Sequence, residues 1–115
     1  MTLDEVKFAA LELLGIQQGE DVAMTANHST RMGRSYDKVY AELKDMGLAT
    51  WVSAGPIPDK VADHVEALMA MEASSAFYVS DGRFARIAAK ASQAKREIAR
   101  LVTPDYESMD EPVDF

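Results

Sequence analysis

The sequence predicts an all-α protein: a small bundle of about four helices followed by an extended C-terminal tail. Three observations predict it. Apolar residues recur every three or four positions through most of the chain, which is the spacing of an amphipathic helix. Helix punctuation separates the periodic stretches, with a capping sequence at the start and glycines or prolines at the joins. From Thr103 to Phe115 the pattern changes to an acidic stretch with no Lys or Arg.

The first helix opens at Thr2-Leu3-Asp4-Glu5, a capping box in which the Thr2 hydroxyl and the Glu5 carboxylate each reach the other's backbone N–H. Leu3, Val6, Ala10 and Leu13 then fall on one face, and Gly15 supplies a left-handed stop with Ile16 as its hydrophobic contact. The second helix is expected from about Glu20 to Met46. Glu20 and Asp21 favour its N-terminus, and Val22, Ala26, Ser29, Met32, Tyr36, Val39, Leu43 and Met46 form its apolar row. Unbroken, it would be ~40 Å long. Gly47 stops it.

Pro56 and Pro58 end regular structure in the next stretch, where Thr50, Trp51 and Val52 suit a short extended piece. Pro58 suits the first position of a third helix. That helix carries Val61, Val65, Leu68, Met69 and Met71 and is expected to end near Phe77 or Tyr78. Ser80-Asp81-Gly82 reads as a break and a cap. A fourth, alanine-rich helix follows from about Arg83 to Leu101, with Phe84, Ile87, Ala88, Ala91, Ala94, Ile98 and Leu101 inward. Thr103-Pro104 ends it. The chain thus divides into a helical domain, 1–102, and an acidic tail, 103–115.

At 115 residues this is one domain with a modest core. Hydrophobic residues make up 48%, too many for a disordered chain. The absence of cysteine excludes disulfides, thiolate metal sites and cysteine nucleophiles, and suits an intracellular folding compartment. No apolar run approaches the roughly 20 residues needed to span a bilayer, and the start lacks the features of a signal peptide. The expectation is a soluble protein with no membrane partner.

Net charge is −7, and the tail supplies much of it through Asp105, Glu107, Asp110, Glu111 and Asp114. Without these five, 14 acidic residues face 12 basic ones, and the body is nearly neutral at −2. Such a balance argues against tight non-specific binding to duplex DNA, which needs many phosphate contacts.

No nucleotide, nucleophile-elbow or zinc-helix motif is present. His28 has Asn27 and Ser29 beside it, but adjacent helical residues diverge by about 100° and cannot converge on one ligand. It reads as a partly exposed helix position. His64 has Asp63 and Glu66 nearby, without the three- or four-residue spacing a metal site wants. The methionines read as core filling. No catalytic, cofactor-binding or metal-binding residue is expected, and no cofactor.

Three features suit binding instead. The fourth helix carries Arg83, Arg86, Lys90, Lys95, Arg96 and Arg100 against Asp81 and Glu97. This pattern suits a surface for DNA or an acidic partner, and equally a solvated face. Trp51, the only tryptophan, suits either a core plug or an interface anchor. In the tail, Tyr106, Met109, Val113 and Phe115 have the spacing of a peptide that docks by folding on a partner.

Two stretches resemble a known family. Ala9-Ala10-Leu11-Glu12-Leu13-Leu14-Gly15-Ile16 is similar to the opening of phage head-to-tail adaptors, also called tail accessory or packaged-DNA stabilisation proteins. Ile57 to Ala62, Val65 to Leu68, and the alanine-rich helix through Lys90, Ala91, Lys95 and Arg96 resemble that family's second helical half. Gly47 to Trp51 takes the place of the loop between the halves. The resemblance runs from Leu3 to Val102, in a chain shorter than is usual for the family. It implies a helical bundle in a ring of twelve copies beneath the portal, contacts with a tail or nozzle protein, and no enzyme activity. It further implies a virion protein at the head–tail junction, made in the host cytoplasm, with packaged DNA passing through the lumen without sequence-specific binding. A second functional class, a small acidic phage regulatory protein that binds a host factor, would act as a monomer or dimer with no affinity for a portal.

Overall fold

Four α-helices appear in a computed structural model, which describes residues 1–16 and 24–102. They are α1 (Leu3–Leu14), α2 (Ala26–Asp45), α3 (Asp59–Ala73) and α4 (Asp81–Val102), with a 3-10 turn at Ser74–Ala76. No strand occurs among the described residues. The all-α bundle expected from periodicity is the fold observed. Helix α3 is its centre, packing against each of the other three helices.

Local chemistry sets most of the helix ends. In α1 the capping box is complete: Glu5 N–H donates to Thr2 Oγ1 at 3.2 Å, and Thr2 N–H donates to Glu5 Oε1 at 2.9 Å. At its other end Gly15 has φ 81°, and Ile16 N–H donates to Leu11 O at 2.9 Å. That left-handed turn closes two of the orphaned carbonyls. Gly47 ends α2 in the same way, with φ 77° and Leu48 N–H donating to Leu43 O at 2.8 Å.

Several boundaries differ from the sequence expectation. Helix α2 begins at Ala26, because the Thr25 hydroxyl accepts from His28 N–H at 3.2 Å and serves as its N-cap. It has 20 residues instead of about 27. Asp21 and Val22, expected in its first turns, lie outside the described residues, as does Glu20. Pro58 is the N-cap of α3 and not its first residue. Helix α3 ends at Ala73, and the 3-10 turn carries the chain on to Ala76. Ser80 starts α4, its hydroxyl accepting from Arg83 N–H at 3.3 Å, so Asp81 and Gly82 belong to the first turn. The Thr50-Trp51-Val52 stretch forms no strand.

The core joins all four helices. It contains Val6, Ala10, Leu11 and Leu14 from α1, and Met32, Tyr36, Val39 and Leu43 from α2. Helix α3 supplies Val61, Ala62, Val65, Met69, Ala70 and Ala73, and α4 supplies Ile87 and Ile98. Burial on α1 is wider than the predicted row, since Leu11 and Leu14 are enclosed while Leu3 and Leu13 are half-buried. The reason is that α1 packs against three helices. Leu68 and Met71 are likewise only half-buried. Met46 is exposed, one residue past the end of α2. Phe84, expected inward, is 40% exposed. It sits in the first turn of α4, ahead of Ile87, the first enclosed residue of that helix.

Trp51 fills the open side of α2. It is 8% exposed, and its indole N–H donates to the Tyr36 hydroxyl at 2.9 Å. Tyr40 donates its hydroxyl to Trp51 O at 2.7 Å, and the Tyr40 and Trp51 rings meet edge to face. Burying an indole with its donor satisfied is what makes this loop residue a core element.

Candidate functional site

The six basic residues of α4 do not form one face. At 100° per residue, Arg83, Arg86 and Lys90 lie within an arc of about 60° beside the buried stripe. Lys95 lies on the other side and pairs with Glu42 of α2 at 2.7 Å. Arg96 points away from the core and is exposed. Arg100 is exposed and pairs with Glu97 at 2.9 Å.

Arg83 is committed to the fold. Its guanidinium donates to Leu13 O at 3.2 Å and Glu12 O at 3.4 Å, the carbonyls at the C-terminus of α1. A cation there is favoured by the helix dipole as well as by the carbonyls that end the helix. The neighbouring Gly15 is required by its own φ of 81°; an added Cβ would also come within 2.8 Å of Arg83 Nε, the end of a flexible side chain that can shift.

Arg86 and Lys90 are exposed and make no ion pair with another described residue. They stand at the edge of a cleft of about 350 Å³ between α1, α3 and α4. Ala9, Leu13 and Ile87 give it apolar walls, and Glu12, Glu66 and Arg83 complete the lining. Glu66 is 7% exposed. No hydrogen bond joins its carboxyl to another described residue. Burial pushes its pKa up to about 7, and the charges of Asp63 and Glu12 add to the effect, while Lys90 opposes it. The cleft therefore combines two cations that are unpaired among the described residues with a carboxyl whose pKa burial raises to about 7.

A second, smaller cleft lies beyond Lys90, lined by Asp63, His64, Ala67, Gln93 and Glu97. His28 packs its ring edge-on against Phe77, with centroids 5.4 Å apart. Among the described residues no group of three or more His, Asp or Glu side chains is placed to hold a metal ion. No described helix is long and apolar enough to cross a membrane.

The structure thus separates the sequence-predicted site residues. Arg86 and Lys90 come together at the cleft; Arg96 and Arg100 stand apart from it. Arg83 caps α1, and Trp51 belongs to the core, which leaves it little surface for a partner. Tyr106, Met109, Val113 and Phe115 lie outside the described residues.

Sequence reading missed Glu66 and a polar network at the α2–α3 seam. A signal for Glu66 existed: it falls between Ala62 and Ala70 at four-residue spacing, in the middle of the buried face of α3. In the seam, Glu72 accepts from the Ser35 hydroxyl and pairs with Arg31 at 3.3 Å and Lys38 at 3.0 Å. Arg31, Ser35 and Lys38 have the 4 and 3 spacing of one helix face. Searches against protein-family models, curated proteins and solved structures find no match to the chain.

Proposed function

We propose that the chain is a structural virion protein, a head-to-tail adaptor that forms a ring beneath the portal, joins it to the tail and helps retain packaged DNA. The observation that supports this reading most is the segregation of charge. A helical body presents cations along one edge of α4 that are unpaired among the described residues, and thirteen residues with five carboxylates and no Lys or Arg follow directly. Complementary patches on one chain suit a heterologous contact, the kind that repeats from copy to copy until a ring closes. The family resemblance supports it too, since the Ala9–Ile16 stretch supplies the second half of α1 and its glycine stop.

In this reading the protein works by geometry. The portal and a tail or nozzle protein hold its two sides, with twelve copies as the family implies, and DNA passes through the lumen without being read. The tail residues Tyr106, Met109, Val113 and Phe115 provide apolar burial on the portal or a neighbouring copy, at roughly 1.5–3 kcal/mol for each large side chain fully enclosed. Charge sets register and association rate.

The test is a pull-down with purified portal, followed by electron microscopy of the mixture. The full chain is expected to cap the portal as a ring. Truncation after Val102 is expected to leave a folded domain that no longer attaches firmly. Tyr106→Ala with Phe115→Ala should weaken attachment more than neutralising Asp110 and Glu111. A full chain with no affinity for portal would sink the adaptor reading. Undiminished binding by the truncated form would remove the docking role of the tail.

A further inference from the structure

The cleft between α1, α3 and α4 has the chemistry of a binding site without an assigned occupant. Its mouth carries Arg86 and Lys90, both exposed and unpaired among the described residues. Its lining includes the Glu66 carboxyl, more than nine-tenths buried and without a hydrogen bond to another described residue. Its third cation, Arg83, is already held by the α1 carbonyls. A ligand that suits this arrangement brings carboxylates for the two rim cations and an acceptor for a protonated Glu66.

We infer that the cleft receives the chain's own acidic C-terminal segment, with Asp110 and Glu111 pairing with Arg86 and Lys90. The inference concerns the isolated chain and does not depend on a portal: the same charged groups pair within one copy, and a portal or a neighbouring copy would have to displace the segment.

Chain length permits it. Along α4, Lys90 lies ~18 Å and Arg86 ~24 Å back from Val102 at 1.5 Å per residue. Asp110 is eight residues beyond Val102, so an extended chain carries it up to ~26 Å. The segment therefore reaches the cleft by turning back along α4, with its second half placed at the rim. Tethering raises its effective concentration to roughly the mM range, which a free anion of the same chemistry does not enjoy. Charge complementarity favours it as well, since the segment has five carboxylates and no Lys or Arg.

Proton uptake accompanies docking. The charged groups facing Glu66 are Glu12 from α1, Asp63 from α3, and Arg83, Arg86 and Lys90 from α4. Its carboxyl already titrates near neutrality. An arriving carboxylate adds negative charge and favours the protonated form, whose O–H then donates to the newcomer. Docking therefore tightens as pH falls from about 8 to 6, well above the ordinary range in which the tail's own carboxylates protonate.

The chain has no cysteine, so Ser108→Cys gives a single nitroxide label in the middle of the tail of the full-length protein. Paramagnetic loss of amide signal is then read at Ala9–Glu12 and Arg86–Lys90. The expected result is loss at both stretches, larger at pH 6 than at pH 8. Arg86→Glu with Lys90→Glu should abolish it, and adding Asp110→Arg with Glu111→Arg should restore it. Glu66→Gln should keep the loss and remove its pH dependence. Arg96→Glu, on the same helix but away from the cleft, should change little. No loss at the cleft would overturn the proposal. So would an equal effect of Arg96→Glu, which would mean a diffuse field, or loss that appears only between differently labelled copies. Portal pull-down is scored separately, so failure of the adaptor reading leaves this result intact, and the reverse also holds.

Discussion

Glu66 and Glu72 sit six residues apart on α3 and meet opposite surroundings. At the α2–α3 seam, burial alone would push the Glu72 carboxyl up. The Ser35 hydroxyl, Lys38 and Arg31 outweigh it and hold the pKa below the usual carboxylate value. On the other side of the helix, Glu66 has the burial without a hydrogen-bond or ion-pair partner among the described residues; the charges of Asp63 and Glu12 push it further up, and Lys90 opposes them only in part. The comparison teaches that burial of a carboxyl decides little until its partners are counted. The seam carboxylate holds two helices together. The cleft carboxyl has no hydrogen-bond partner among the described residues, and burial favours its protonated form.

The strongest way to break the comparison is to add a buried carboxylate with no partner at all. Ile98→Asp places one at a fully enclosed position on the inner face of α4. It should cost several kcal/mol against a total stability of about 5–15, and unfold the domain. Leu68→Asp, at a half-buried position, should cost less. Helical circular dichroism and the melting temperature read both. An Ile98→Asp protein that melts like the parent would mean the α4 packing face is misassigned.

A smaller effect is expected at the seam. Glu72→Ala removes the acceptor of the fully enclosed Ser35 hydroxyl and the partner of two cations. It should cost about 1–3 kcal/mol at pH 7. The sign with pH follows from the lowered pKa: the stabilising contribution is present above the ordinary carboxylate range and is lost as pH falls through the folded value. Urea midpoints for parent and variant should therefore converge toward pH 3. A constant gap across that range would show that Glu72 acts by packing and not by charge.

The smallest effect, with the opposite sign, is expected for Glu66→Gln. A carboxyl whose folded pKa lies near 7 against an ordinary 4.5 binds its proton more tightly when folded. Its favourable contribution is complete below the unfolded value and is lost as pH rises through about 7. The amide stands in for the protonated acid, so the variant should match the parent at pH 4. It should be more stable at pH 8 by on the order of 1–2 kcal/mol, allowing for the solvent at the cleft mouth. A variant less stable than the parent at pH 8 would mean that Glu66 has a charged partner.

Much of the fold was legible in the sequence because its signals are local. The Thr2–Glu5 capping box, the glycine stops at Gly15 and Gly47, and the inward row Met32, Tyr36, Val39 and Leu43 each depend on neighbours within a turn or two. Where a local signal had a local competitor, the boundary moved. The Thr25 hydroxyl started α2 in place of the acidic pair at Glu20 and Asp21, and the Ser80 hydroxyl started α4 two residues early. The candidate site was legible only in part. The basic residues of α4 were visible as a composition, but their division between α1, α2 and open solvent was not.

The sequence by itself determined four helices, their order, and an acidic segment behind a nearly neutral body, because periodicity, capping and charge are written in short stretches of chain. Only the tertiary structure decided which polar groups meet. It placed Glu72 under Ser35, Lys38 and Arg31, turned Arg83 onto the end of α1, and drew Trp51 into the core against Tyr36. It left Glu66 in the lining of a cleft with Arg86 and Lys90, which make no ion pair with another described residue. The physical reason is range. A helix forms from bonds four residues apart, whereas the energy of a buried charge is set by groups tens of residues away that only the packing of α1, α2 and α4 around α3 brings within reach.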